Sequence, residues 1–150
     1  MPISTKYLFV VRMDVDPDKE ALFNEVYDSE HVPNILKVPG VRSATRFMGE
    51  PFTMNIGGAQ TKKQHEGPRY TAIYEIDSPA VLLSPEWAKQ AELGRWPGEV
   101  RPFTRNRQHV LLRVRGGWSS CLSAGSTRVA CSGIGWRHSG DKLRFDHAGD

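Results

Sequence analysis

The sequence predicts an α+β fold built on one four-stranded antiparallel sheet and two helices. Three observations predict it. Four segments are rich in aromatic and β-branched residues, two amphipathic stripes alternate with them, and Pro/Gly pairs punctuate the junctions. The 150 residues are a one-domain length. With 39% hydrophobic and 25% charged residues, the chain can bury one core.

Each element has its own local reason. Tyr7 to Met13 reads as a strand that runs into Asp14-Val-Asp-Pro17. Asp16 is the expected N-cap, with Pro17 at the first helical position, where its missing N–H costs nothing. Leu22, Phe23, Val26 and Tyr27 then recur at helical spacing, and Pro33 is expected to end or kink the helix near Val32. A short turn over Asn34–Val38 and Pro39-Gly40 lead into a second strand, Val41 to Met48. Arg69 to Ile76 forms the third. The intervening 49–68 segment is a lid or an extended hairpin, and the alternation of Phe52, Met54 and Ile56 leans toward the hairpin. A second helical region follows Asp77-Ser-Pro79. It breaks at Ser84-Pro85, carries Trp87, Ala88, Ala91 and Leu93, and is closed by Pro97-Gly98. Thr104 to Val114 is the fourth strand, with Val110, Leu112 and Val114 on one face and His109, Leu111 and Arg113 on the other.

The resulting order, β-α-β-β-α-β, is the ferredoxin-like arrangement, with helices on one face of the sheet. The strands are apolar on both faces: Tyr7, Phe9 and Val11 against Leu8 and Val10, and Tyr70, Ala72 and Tyr74 against Ile73. The face without helices needs a cover, and a second copy of the chain is the simplest one, so a homodimer is expected.

Composition divides the chain at about residue 115. Residues 116–150 hold seven of the 14 Gly, both Cys (Cys121 and Cys131), two of the four Trp and no periodic pattern. They read as a Gly/Ser-rich tail, disordered or irregular, after a 1–115 domain. Two Cys in such a tail make neither a disulfide framework nor a zinc pattern. No leader pattern is visible, and the longest apolar run, Leu8 to Val11, is too short to cross a bilayer; a cytoplasmic protein is expected. The net charge of +3 and the acid-free basic stretch 101–115 permit nucleic-acid binding, but only Phe103 interleaves the arginines, and no nucleic-acid partner is expected. Phosphate loops, zinc-binding HExxH and nucleophile elbows are all lacking, so neither a metal nor a cofactor is expected.

The densest polar cluster is Tyr27-Asp28-Ser-Glu30-His31-Val-Pro33. Tyr27, Asp28 and His31 can share a face at the end of the first helix, while Glu30 continues the apolar stripe. A phenol, a carboxylate and an imidazole within reach form a general acid/base set. The alternative is a helix-end histidine offsetting the dipole, with Tyr27 in the core and the acids solvated. His109 is a second candidate: with Val110 and Leu112 under the helices, it looks into the covered side of the sheet. Arg42 and Arg46 share a face of the second strand, where they could hold an anionic substrate or form ion pairs. His109, Arg46 and Tyr74 are the candidate substrate-binding residues.

Tyr27-Asp-Ser-Glu-His31-Val-Pro33-Asn-Ile-Leu36-Lys-Val-Pro39-Gly40-Val41, followed by Arg46-Phe47, resembles the dimeric α/β-barrel superfamily, most closely the EthD-like proteins. Tyr70 to Asp77 is similar to that group's third strand. The resemblance spans residues 5–115 and implies two ferredoxin-like protomers, each with a cleft between sheet and helices. Relatives include cofactor-free monooxygenases, isomerases, polyketide cyclases and proteins linked to catabolism. It places the group's tyrosine and histidine at Tyr27 and His31 and implies proton transfer by His31. With that, the expected enzyme acts on an aromatic or polyketide-like molecule, with Tyr27 as the polarising hydrogen-bond donor and Asp28 or Glu30 orienting the imidazole. A cofactor-free monooxygenase and a non-catalytic binding dimer are the alternatives.

Overall fold

The computed structural model describes residues 3–116, so the expected tail lies outside the described residues except for Gly116. The expected strands all form. β1 (Tyr7–Val15), β2 (Val41–Met48), β5 (Tyr70–Ile76) and β6 (Thr104–Arg113) make one antiparallel sheet in the order β2-β5-β1-β6. The two central strands are the first and third expected from sequence, which is the ferredoxin-like topology.

Register assigns the faces. Phe9 lies opposite Tyr74 and Leu111, Val11 opposite Ala72 and His109, and Met13 opposite Tyr70. These residues point toward the helices, where Val11, Met13, Tyr70, Ala72, Tyr74 and Ile76 join Phe23, Val26 and Tyr27 in the core. On the opposite face Leu8 is paired with Leu112, and Val10 with Ile73 and Val110. Val110 and Leu112 are therefore not under the helices, and they stay 43% and 46% exposed. The arrangement expected for His109 is reversed: it is His109 that faces the helix side.

The first helical run does not end at Pro33. After a 3-10 turn at Pro17–Lys19, α1 (Glu20–Val26) widens into a π-helical turn at Tyr27–His31 and continues as α2 (Val32–Ile35). Within that turn the Val32 N–H reaches back to the Tyr27 carbonyl, five residues away. The ladder has already shifted when Pro33 arrives, so its missing N–H falls in the new first turn, where none is needed. Asp16 does not cap with its side chain. Its carboxylate pairs with Arg105 at 2.7 Å, and its backbone carbonyl accepts from the Lys19 N–H at 2.8 Å.

The second helical region breaks where expected. A 3-10 turn (Pro79–Leu83) gives way at Ser84, whose Oγ accepts from the Trp87 N–H at 3.1 Å and starts α3 (Pro85–Ala91). Pro97-Gly98 does not close the region. It sits inside a second π-helical turn (Trp96–Val100), which a 3-10 turn (Arg101–Phe103) links to β6.

Residues 49–68 form the extended hairpin, β3 (Phe52–Ile56) and β4 (Ala59–Lys63). The Gly57-Gly58 turn has φ of +59° and +83°, the pair of positive values a two-residue hairpin turn requires. Neither strand joins the main sheet.

Candidate functional site

The two π-helical turns meet at His31. The first places the imidazole at its last residue, and the second places Trp96 at its first. The two rings stack with centroids 4.4 Å apart and 25° between planes, while Tyr27 stands edge-on to both at 5.0 Å. His31 is 8% exposed, and among the described residues its Nδ1 has no hydrogen-bond partner. Burial, with Arg101 nearby, holds its pKa at about 4, so the ring is neutral at neutral pH.

Tyr27 is not aimed at the imidazole. Its hydroxyl meets the Tyr74 hydroxyl at 3.1 Å, and burial pushes the pKa of both phenols up. The Arg46 guanidinium lies 4.4 Å from the Tyr27 ring centre, a cation–π contact, and is held by Asp28 and by Asn24 at 2.8 Å. Asp28 therefore engages Arg46 and does not orient His31. Glu30 also turns elsewhere. Its carboxylate accepts from the Arg95 backbone N–H at 2.9 Å and from Arg95 Nε at 2.7 Å, and these bonds keep its pKa low. The expected acid/base set thus divides: His31 and Tyr27 come together, while Asp28 and Glu30 each hold an arginine.

Arg42 and Arg46 do not share a surface. A register shift between Val41 and Ser43 interrupts the alternation. Arg42 forks onto Asp77 (2.8 and 2.6 Å), whereas Arg46 tucks under the helix. His109 lies at the other end of the helix side, stacked on Phe9 at 5.9 Å and 17°. Phe9 in turn contacts Trp87 edge-on at 5.6 Å and Tyr74 at 6.2 Å. One aromatic layer therefore runs from His31 through Tyr27 and Tyr74 to His109.

Trp96 and Arg95 were not legible as site residues in the sequence. The one local signal is their position between Gly94 and Pro97-Gly98, an irregular segment that nevertheless buries a tryptophan.

The layer is packed tight. The cavity lined by Tyr27, Arg46, Tyr70 and neighbouring core residues is about 10 Å³. A separate open cavity of about 600 Å³ lies at the hairpin base, lined by Met48, His65 and Arg69 among others. Among the described residues no group of three His, Cys, Asp or Glu side chains could hold a metal ion, and no helix is long and apolar enough to cross a membrane.

Against this geometry stand the comparisons with known proteins. No protein-family model matches the chain, and no curated protein does. Among solved structures, a mutant of MhuD with two manganese protoporphyrin IX bound per active site aligns with a TM-score of 0.51 at 9% identity. The alignment covers 76% of this chain and 99% of that one. The fold is that of the dimeric α/β-barrel proteins. An ethyl tert-butyl ether D (EthD) family protein from Bacillus halodurans C-125 also aligns, at 12% identity and a TM-score of 0.48, covering 72% of this chain and 98% of that one. A porphyrin like the one bound by MhuD does not fit beside Tyr27 and His31 as this chain is folded. The cavity beside Tyr27 is far smaller than the several hundred Å³ such a ligand needs, and Trp96 covers one face of His31.

Proposed function

We propose that the chain is a homodimeric small-molecule enzyme in which His31 transfers a proton, in an isomerase, cyclase or lyase type of reaction on an aromatic or polyketide-like molecule. One observation carries this reading: a buried, neutral imidazole whose Nδ1 has no partner among the described residues. Buried polar atoms are nearly always paired, and an unpaired one costs about 1–3 kcal/mol. An atom kept unpaired at that cost is available to exchange a proton with a substrate, as acceptor or donor according to the imidazole tautomer. Its position on a π-helical turn supports the reading, because such widened turns concentrate at functional sites.

Geometry recasts the other roles. Tyr27 and Tyr74 form a phenol pair whose shared proton leaves one hydroxyl hydrogen free to donate. Arg46 screens the layer, and the aromatic rings toward His109 form the surface on which a flat substrate stacks. Substrate entry requires the helices to part from the sheet, since the layer is closed as it stands.

The closed layer and the lack of a carboxylate on His31 favour a second reading, a binding dimer without turnover. One experiment separates the two. The protein is screened by thermal shift against aromatic hydroxy acids and lactones, and each stabilising compound is followed for product formation and for oxygen uptake. The enzyme reading predicts product without oxygen uptake, and a drop of about 10²–10⁴ in rate for His31→Phe. Stabilisation without product supports the binder. Oxygen uptake, or full activity of His31→Phe, overturns the proton-transfer assignment.

A further inference from the structure

His31 owes its surroundings to a residue that does not touch it. Glu30 precedes it on the same π-helical turn and points the other way, across to the segment after α3. There its carboxylate accepts the Arg95 backbone N–H at 2.9 Å, one residue before Trp96. Gly94 makes room for this approach. Its φ is +72°, and a Cβ at that position would lie 2.5 Å from Glu30 Oε2. The Arg95 side chain adds bonds from Nε to Glu30 and from Nη2 to Glu25, both at 2.7 Å. The second π-helical turn begins at the next residue, and its first side chain is the indole stacked on His31.

We propose that Glu30 is a positioning residue: by gripping the Arg95 backbone N–H against Gly94, it seats Trp96 over the His31 imidazole and shuts water out of the site. The inference deepens the proton-transfer reading, since it names what sets the state of the imidazole on which that reading rests. The physical logic is direct. Trp96 and His31 are 65 residues apart in sequence. Glu25 and Glu30 both tie the first helical run to Arg95 by charge-assisted bonds, and among the described residues it is Glu30 that holds the Arg95 backbone N–H next to Trp96. If that grip opens, the indole is free to lift, and the exposed ring regains water. Around the imidazole the charged groups are Arg101, Glu92 and Arg46. Arg101 and Glu92 are paired with each other at 2.6 Å, which leaves desolvation as the leading influence on His31.

The test reads the His31 titration by NMR in the full chain, with His31→Asn identifying its signal among the five histidines. The parent midpoint is expected at about 4, where burial holds the imidazole. Glu30→Ala is expected to raise it toward the ordinary value of 6.5, and Gly94→Ala, which drives the carboxylate away by crowding, should do the same. Glu30→Gln keeps an oxygen for the backbone N–H and is expected to hold the midpoint near the parent's. Arg95→Ala removes only the side chain and should also stay near the parent. An unchanged midpoint in Glu30→Ala overturns the proposal. So does a shift in Arg95→Ala as large as that in Glu30→Ala, because the ion pair rather than the backbone grip would then be responsible. None of these readouts depends on turnover, so a failure of the catalytic reading leaves this result interpretable.

Discussion

At the scale of a residue, His31 stands apart because burial and ionisation oppose each other in it. Its folded pKa of about 4 lies below the ordinary 6.5, so between those values the unfolded chain binds a proton that the folded chain refuses. Stability is therefore full above about pH 6.5 and falls as pH drops through the window toward 4. The shift corresponds to about 3 kcal/mol across that window. Urea unfolding at pH 7 and pH 4.5 measures it: the parent should lose much of its midpoint at the lower pH, and His31→Phe should lose far less. Equal pH sensitivity in the two proteins would show that the imidazole is not the group responsible. The same desolvation makes His31 a weak base in the resting site, so substrate binding must bring in the dipoles that raise its basicity before a proton moves.

At the scale of an element, the two π-helical turns separate what was legible in the sequence from what was not. The strands were legible because alternation and β-branching are local, and the Ser84-Pro85 break because a capping serine announces itself. Pro33 was expected to end or kink the helix near Val32. The helix continues, and the irregularity that accommodates the proline lies just before it, at Tyr27–His31, through a five-residue reach that three- and four-residue spacing does not display. Asp28 and Glu30 were assigned to His31 for the same reason. An even α-helical turn would stack Asp28, three residues before it, beside His31, with Glu30 on the neighbouring stripe; in the widened turn they hold Arg46 and Arg95. Trp96 was invisible because its contact with His31 is purely tertiary. The hairpin is the opposite case: local, legible and outside the ladder of the main sheet, which it touches through the Arg12 bond to the Glu66 carbonyl at 3.3 Å. The Gly49 N–H already bonds the Arg69 carbonyl at 2.7 Å, which closes the β2–β5 ladder before the hairpin begins. Replacing residues 50–68 with Asn-Gly should therefore leave the far-UV spectrum intact and the melting midpoint within about 5 °C, the shift that about 1 kcal/mol produces. A larger loss would mean that the hairpin supports the domain.

At the scale of the whole described domain, the sheet is a two-faced object with one face covered. Helices bury Phe9, Val11, Ala72 and Tyr74, and nothing in the chain's described residues buries Val110 and Leu112, which sit opposite Val10 and Leu8. Val110 and Leu112 are the exposed part of a contiguous row completed by half-buried Leu8 and buried Val10, unlike Leu83, which is 87% exposed and lies on the helical layer. A contiguous apolar face on a sheet is a surface waiting for a partner, and a copy of the same face is complementary to it by composition. A two-fold axis would also count each substitution twice. Leu112→Glu should therefore convert a dimer to a monomer in light scattering at micromolar concentration, with the circular dichroism spectrum of the parent. Leu83→Glu, an equal change of charge away from the sheet, should remain dimeric. A monomeric parent, or a Leu112→Glu protein as dimeric as the parent, would mean that the open face is not the interface, and the cover over Val110 and Leu112 would then have to be sought in a different partner.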